Sequence, residues 1–312
     1  MQLEPLVTIG LPVYNGARTL RRALDSLLAQ DHRNMEIVIA DDCSSDETVA
    51  ICREYAAADS RITVHANASN VGSIGNLHVV VKLGRGDYFL YASQDDIWES
   101  SFIRRMLEAM QAYPRSVVAM SAVSAICPDG EFAGETRLAK ADWPQEQAPL
   151  DTAISVVTKR GRNLGTVKTN MFIHGLVRMD MFRDLLTSFP GIFVGERQLV
   201  CQMALAGTLV YVDEILFTKE VSRQSLVERR PHDPLVKKKQ TVRYPHLEYL
   251  VSMTVAILRS RLVPLRHKFY VLPIGAAFIR EMIMKRWISL VLQFLHDNLP
   301  AGVLGVLQRI RK

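Results

Sequence analysis

Asp87-Tyr-Phe-Leu-Tyr-Ala-Ser-Gln-Asp-Asp-Ile-Trp98 reads as a short buried strand whose end delivers two adjacent carboxylates, Asp95 and Asp96, to a sheet edge. Met35-Glu-Ile-Val-Ile-Ala-Asp-Asp42 ends the same way. Open α/β sheets bind ligands at the carboxyl ends of their strands, so two acid pairs placed there point to one site. Adjacent acids repel, and the arrangement is stable mainly when a hard divalent cation or several hydrogen-bond donors share it.

Around these two runs, the first 125 residues alternate period-2 or fully apolar stretches with helical patterns, the signature of βαβ units. Strands are expected near 6–11, 35–40, 62–65, 88–92 and 117–123, which gives an α/β protein with a Rossmann-like, mostly parallel central sheet flanked by helices. Leu20, Ala23, Leu24, Leu27 and Leu28 recur at helical spacing and supply an apolar stripe. A second helix follows Ser44-Ser45-Asp46-Glu47, where Ser44 and Glu47 have capping-box spacing. A third is expected from about Ile74 to Leu83, and a fourth after Ser101 with Phe102, Ile103, Met106, Leu107 and Met110 inward. Cys127 to Ala148 turns polar and reads as a surface loop. Asn170 to Val177 reads as a strand, followed by a helix to about Ser188, a helix over about 197–205 capped by Gly207, and a strand over Thr208–Val212.

After about Ser222 the alternation stops, and helical segments near 240–260, 266–290 and 300–310 take over. The division expected is a catalytic domain over 1–222, comprising a donor-binding half (1–125) and an acceptor-binding half (126–222), then a basic amphipathic helical extension over 223–312. Charge divides at the same place. Residues 1–222 hold 21 Lys and Arg against 27 Asp and Glu, whereas 223–312 hold 17 against 5. The basic residues are interleaved with apolar runs such as Tyr249-Leu-Val-Ser-Met-Thr-Val-Ala-Ile-Leu258, which suits an anionic membrane surface better than nucleic acid. No uninterrupted apolar run reaches the length of a membrane span, so a peripheral position is expected. A helical subdomain that merely caps the sheet is the alternative.

Four scattered cysteines, Cys43, Cys52, Cys127 and Cys201, form no C-x-x-C pair and suggest neither a zinc site nor a disulfide framework. Met1-Gln-Leu-Glu-Pro5 lacks the basic and apolar regions of a secretory signal, and a cytoplasmic location is expected. There is no phosphate-cradling G-x-x-x-x-G-K-[ST] loop and no G-x-G-x-x-G after the first strand. A diphosphate held beside acids then requires a cation, Mg²⁺ or Mn²⁺, and such a site suits a reaction in which the diphosphate leaves.

Val7-Thr-Ile-Gly-Leu-Pro-Val-Tyr-Asn15, Val38-Ile-Ala-Asp-Asp-Cys-Ser-Ser-Asp46 and Tyr91-Ala-Ser-Gln-Asp-Asp-Ile-Trp98 resemble, in order, the nucleotide-sugar motifs of the family 2 glycosyltransferases. The resemblance covers about 1–125 and implies a GT-A fold and an inverting, metal-dependent transfer from a UDP- or dTDP-linked sugar. It places Pro12, Tyr14 and Asn15 against the nucleoside, Asp42 on the base with Asp41 in support, Asp95 on ribose or metal-bound water, and Asp96 on the metal. Asn70-Val-Gly-Ser-Ile-Gly-Asn76 resembles a loop in which a basic residue often follows the glycines; Asn76 occupies that region without a cation. Lys219 or Arg223 could replace the charge, and Arg223-Gln224-Ser225 lies where the family has a loop closing over the diphosphate. Counting back from Ala206-Gly207, Glu196 matches the family's general base and Gly195 stands where a preceding acid is common.

Gln94-Asp95-Asp96-Ile97-Trp98 resembles the form seen in rhamnosyltransferase-like members of O-antigen or capsule assembly, and a lipid-linked or surface glycan is the implied acceptor. His174, on an apolar strand, reads as a core or rim histidine rather than a ligand, and Trp98 and Tyr14 read also as core aromatics. Two other readings stay open: a nucleotidyltransferase on a related sheet, and a non-catalytic membrane scaffold that keeps the fold.

Overall fold

The structure, a computed structural model, describes residues 4–138, 148–158, 171–187, 195–221 and 245–280. Its first half runs β1 (Val7–Val13), α1 (Leu20–Leu28), β2 (Met35–Asp41), α2 (Thr48–Ala58), β3 (Ile62–Ala66), α3 (Gly72–Leu83), β4 (Tyr88–Tyr91), β5 (Ile97–Trp98) and α4 (Phe102–Ala112). Then come β6 (Ser116–Ile126), β7 (Phe132–Thr136), α5 (Pro149–Thr158), a 3-10 turn (Met171–His174), β8 (Leu176–Arg178), α6 (Met179–Thr187), α7 (Gly195–Ala206) and β9 (Thr208–Glu220). Helices α8 (Pro245–Arg259) and α9 (Leu265–Lys268) follow, and 271–280 are helical.

The strands form one sheet in the order β3-β2-β1-β4-β8-β6-β9-β5, with β7 on the outside of β6. From β3 to β4 all pairings are parallel, as expected. Every residue of β2 is buried, because a parallel strand covered by helices on both faces has no wet side. Helix α1 buries Leu20, Ala23, Leu24 and Leu27 on that sheet, and α4 buries all five residues of its predicted stripe. Each such side chain contributes on the order of 1.5–3 kcal/mol by leaving water.

The second half is mixed. β8 is antiparallel to both β4 and β6, while β9 is parallel to β6 and antiparallel to β5. The run expected as one strand over 170–177 is instead the 3-10 turn, Gly175 and β8. Met171, Phe172, His174, Leu176 and Val177 are buried in either conformation, so apolar content could not separate them. Gly175 is held there by space, since a Cβ would lie 2.5 Å from the Ala119 carbonyl oxygen. The polar stretch after Cys127 is not all loop: β7 turns back onto β6, with Gly130 at φ 86° in the turn. Gly207 ends α7, but what it avoids is a collision with the Arg115 carbonyl rather than a left-handed cap. Among the described residues no helix is long and apolar enough to cross a membrane.

At the opposite end of β1 and β2 from the acid pairs, buried Glu36 accepts from Thr8 Oγ (2.7 Å), from the Arg85 amide and from the Arg85 guanidinium. Burial pushes its carboxyl up, but these donors outweigh it and hold Glu36 below the usual carboxylate range. Its stabilisation is therefore complete above the unfolded-state value and fades as pH falls through the lowered folded value. Glu36→Gln should destabilise by about 1–3 kcal/mol near neutrality, and urea unfolding should show the gap from wild type closing on acidification. A gap independent of pH would refute this account.

Candidate active site

Parallel pairing of β1, β2 and β4 brings Pro12–Asn15, Asp41–Asp42 and Gln94–Asp96 to one edge, where the strand order reverses direction around β1. The loop after β1 and the loop after β2 are laced together. Asn15 (φ 47°) donates its amide to Ser44 Oγ at 2.9 Å and accepts from the Ser45 amide at 2.9 Å. Gly16 N donates to Thr48 Oγ and Ala17 N to Asp46. Asp46 also accepts from the Thr48 amide and hydroxyl, so it occupies the role predicted for a Ser44–Glu47 capping box, which does not form. Gln94 clasps the backbone of Tyr14 from the other side, its amide accepting at 2.9 Å and donating at 3.1 Å. Tyr14 is not a core residue: its ring is exposed, beside half-buried Pro12.

The acids after β2 divide their work. Asp42 accepts from the Val71 amide (2.7 Å), the Gly72 amide (2.9 Å) and Asn67 Nδ2 (3.2 Å), and so closes the N-terminus of α3. One acceptor lone pair remains. Asp41 accepts from the Ser44 amide through Oδ2, while its buried Oδ1 has no partner among the described residues. Asn76 is committed to structure, donating to Ala40 O at 2.7 Å and accepting from Asn67. Buried and fully engaged, its amide faces the strands rather than a donor molecule.

Asp96 is completely buried, accepts from the Glu220 amide at 3.1 Å through Oδ1, and leaves Oδ2 without a donor among the described residues. Burial pushes its carboxyl up to about 7, with Lys219 opposing the shift and Asp95 adding to it. Asp95 is raised for the same first reason, Lys219 and Arg18 again opposing. Arg22 of α1 and Arg18 in the turn before it flank the pair: Arg22 donates to Asp95 O at 2.9 Å and to Glu220 at 2.7 Å, and Arg18 binds the other Glu220 oxygen. Burial raises Glu220, but those guanidiniums prevail and keep it ionised. Lys219 Nζ lies 3.1 Å from His174 Nε2. Burial, reinforced by Lys219, holds His174 well below its ordinary value, so the neutral ring accepts from the ammonium while stacking on Tyr91 and Phe217. Trp98 is buried against Phe217.

A hard cation fits this donor set. An unpartnered carboxylate oxygen in a buried, acid-rich position gains most from a divalent ion. Among the described residues no group of three or more His, Cys, Asp or Glu makes a self-sufficient cage, so further ligands would come from substrate or water, as is usual for Mg²⁺. Glu196 falls in the first turn of α7, its side chain outside the described residues, as is the whole of Arg223. The Glu220–Arg18–Arg22 cluster and the Gln94 clasp were not anticipated from sequence. Their partners lie 80 to 202 residues apart, and no local pattern joins them.

The model of the family described as glycosyl transferase family 2 matches residues 8–179. An uncharacterised glycosyltransferase of Rickettsia prowazekii (strain Madrid E) is 37% identical over 107 residues, 34% of this chain and 32% of that protein. TuaG of Bacillus subtilis (strain 168), a glycosyltransferase named for teichuronic acid biosynthesis, is 32% identical over 107 residues, covering 34% of this chain and 42% of its own. The match thus spans about a third of the first of these relatives and less than half of the second. Among solved structures, S. aureus TarS 1–349 in complex with UDP-GlcNAc superposes with a TM-score of 0.62 at 17% identity, over 88% of this chain and 72% of that one. That likeness speaks for the fold, an α/β architecture of the GT-A type. With more than half of its length matched by the family, the chain belongs to glycosyl transferase family 2.

Proposed function

We propose that the protein transfers a sugar from a nucleoside-diphosphate donor, UDP- or dTDP-linked, to a hydroxyl of a lipid-linked or cell-surface glycan, with inversion and with help from Mn²⁺ or Mg²⁺. The observation that carries this reading is the buried Asp96 oxygen with no donor among the described residues, at the sheet edge where the β1 and β2 loops converge. Residues 1–222 form the catalytic unit in this reading, with the donor on 1–125 and the acceptor on 126–222, and 223–312 form the helical extension. A relative named for teichuronic acid biosynthesis supports a surface glycan. The rhamnosyl tilt rests on Gln94–Trp98 alone.

In this mechanism Pro12, Tyr14 and Asn15 line the nucleoside, with Asp41 and Asp42 behind it. Asp96, seconded by Asp95, would hold the cation, which when bound supplies positive charge to the diphosphate. Lys219, steadied by His174 and facing the two acids, is the second positive charge on that side and stands in for the cation missing near Asn76. Glu196 takes the proton of the acceptor hydroxyl as its oxygen bonds to the anomeric carbon. The bond to the diphosphate oxygen breaks on the opposite face, and the nucleoside diphosphate leaves with the electron pair.

Calorimetry with UDP-, dTDP- and GDP-sugars, with and without Mn²⁺, on wild type and Asp96→Ala tests the proposal. Manganese-dependent binding of one donor, lost in the variant, is the expected result. Binding of none under either condition would overturn it in favour of a non-catalytic scaffold.

A further inference from the structure

The helical extension carries an apolar surface that the body does not cover. On α8, Val251, Val255 and Leu258 are exposed at i, i+4 and i+7. Beyond α8, Leu265 on α9 (76% exposed), Phe269 in the turn after it (70%) and Leu272 at the start of the next helix (74%) are exposed as well. The opposite sides of both are packed inward through Met253, Ile257, Ile274 and Phe278. These helices are therefore amphipathic in the ordinary sense and, in addition, apolar on part of their wet side. A solitary exposed leucine needs no explanation, but six large exposed apolar side chains within 22 residues do.

Charge identifies the partner. Arg259, Arg261, Arg266 and Arg280 are exposed around these stripes, and Lys268 ties the two helices together by donating to Leu258 O at 2.8 Å. From Leu250 to Arg280 there is no Asp or Glu at all. A second copy of the same face would set cation against cation. Apolar stripes rimmed by arginine match the boundary between headgroups and acyl chains of an anionic bilayer, with the stripes in the acyl region and the guanidiniums at the phosphates. Among the described residues no helix is long and apolar enough to cross a bilayer.

We propose that the face bearing Val251, Val255, Leu258, Leu265, Phe269 and Leu272 docks on an anionic lipid surface. The extension is bolted to the body at α7: His267 Nδ1 lies 2.8 Å from Leu205 O, and Ser252 Oγ is 3.5 Å from Gln198 Oε1. Helix α7 begins with the turn that carries Glu196. Docking would thus fix that turn relative to the bilayer, where a lipid-linked hydroxyl arrives. The docking itself does not depend on the donor chemistry proposed above and is measured without nucleotide.

The test is flotation of the full chain with phosphatidylcholine vesicles and with vesicles containing phosphatidylglycerol. Wild type should float only with the anionic vesicles and less so in high salt. Arg261→Ala and Arg266→Ala should each weaken binding about fivefold. The doubly substituted Phe269→Ser/Leu272→Ser protein should lose at least about tenfold, with an unchanged circular dichroism spectrum and melting temperature. Equal flotation of wild type and the double variant would overturn the proposal. So would failure of wild type to bind anionic vesicles, or a wild-type dimer that the double variant converts to monomer, which would give the face to a second copy or to another part of this chain.

Discussion

Asp96→Asn is expected to lower sugar transfer about 10³-fold while leaving the protein at least as stable as wild type. The substitution keeps the shape and the oxygen that accepts from the Glu220 amide, and removes only the charge. In the wild type that charge sits at a fully buried position beside Asp95 and Glu220, with one oxygen lacking a donor among the described residues. Such an arrangement costs folding free energy, which the neutral amide relieves. Loss of activity and gain of thermal stability should therefore occur together, a pairing that a merely structural residue would not show. Manganese-dependent donor binding and the melting temperature, measured on the same preparation, check it. Activity within about tenfold of wild type, with the metal dependence retained, would remove Asp96 from the centre of the mechanism.

The second large effect is expected at Glu196. Glu196→Gln should reduce kcat by about 10²–10⁴ with little change in donor affinity, because the base acts on the acceptor and not on the nucleotide. With Gly195 in place of a preceding acid, no neighbouring carboxylate in that turn can substitute. Unchanged kcat in the variant would mean that the proton goes elsewhere.

The donor edge was legible in the sequence because it is built from buried parallel strands, whose continuous apolar runs stop abruptly at polar residues. β1, β2 and β4 start and end within about two residues of expectation for that reason. The helix stripes of α1 and α4 were legible for the same cause, an apolar face that must meet a sheet. Chain reversal at β7 was not, because Phe132–Thr136 pairs on the sheet margin and carries little apolar content. Nor was the division between Asp41 and Asp42. Both follow one strand, and only the fold shows that Asp42 spends its oxygens on α3 while Asp41 keeps one open. Lys219 and His174 were readable as types but not as a pair, being 45 residues apart.

The amide of Glu220 that orients Asp96 has a consequence for how the protein is made. The two residues are separated by 124 positions, and β5, directly after the acids, pairs among the described residues with β9 alone. At about 5–20 residues per second, a ribosome needs roughly 6–25 s to travel that distance. During this interval the acid loop lacks the Glu220 amide, the arginine-bound Glu220 carboxylate and the antiparallel strand that hold it in the finished protein. The surroundings of Asp96 are therefore completed only once β9 has been made.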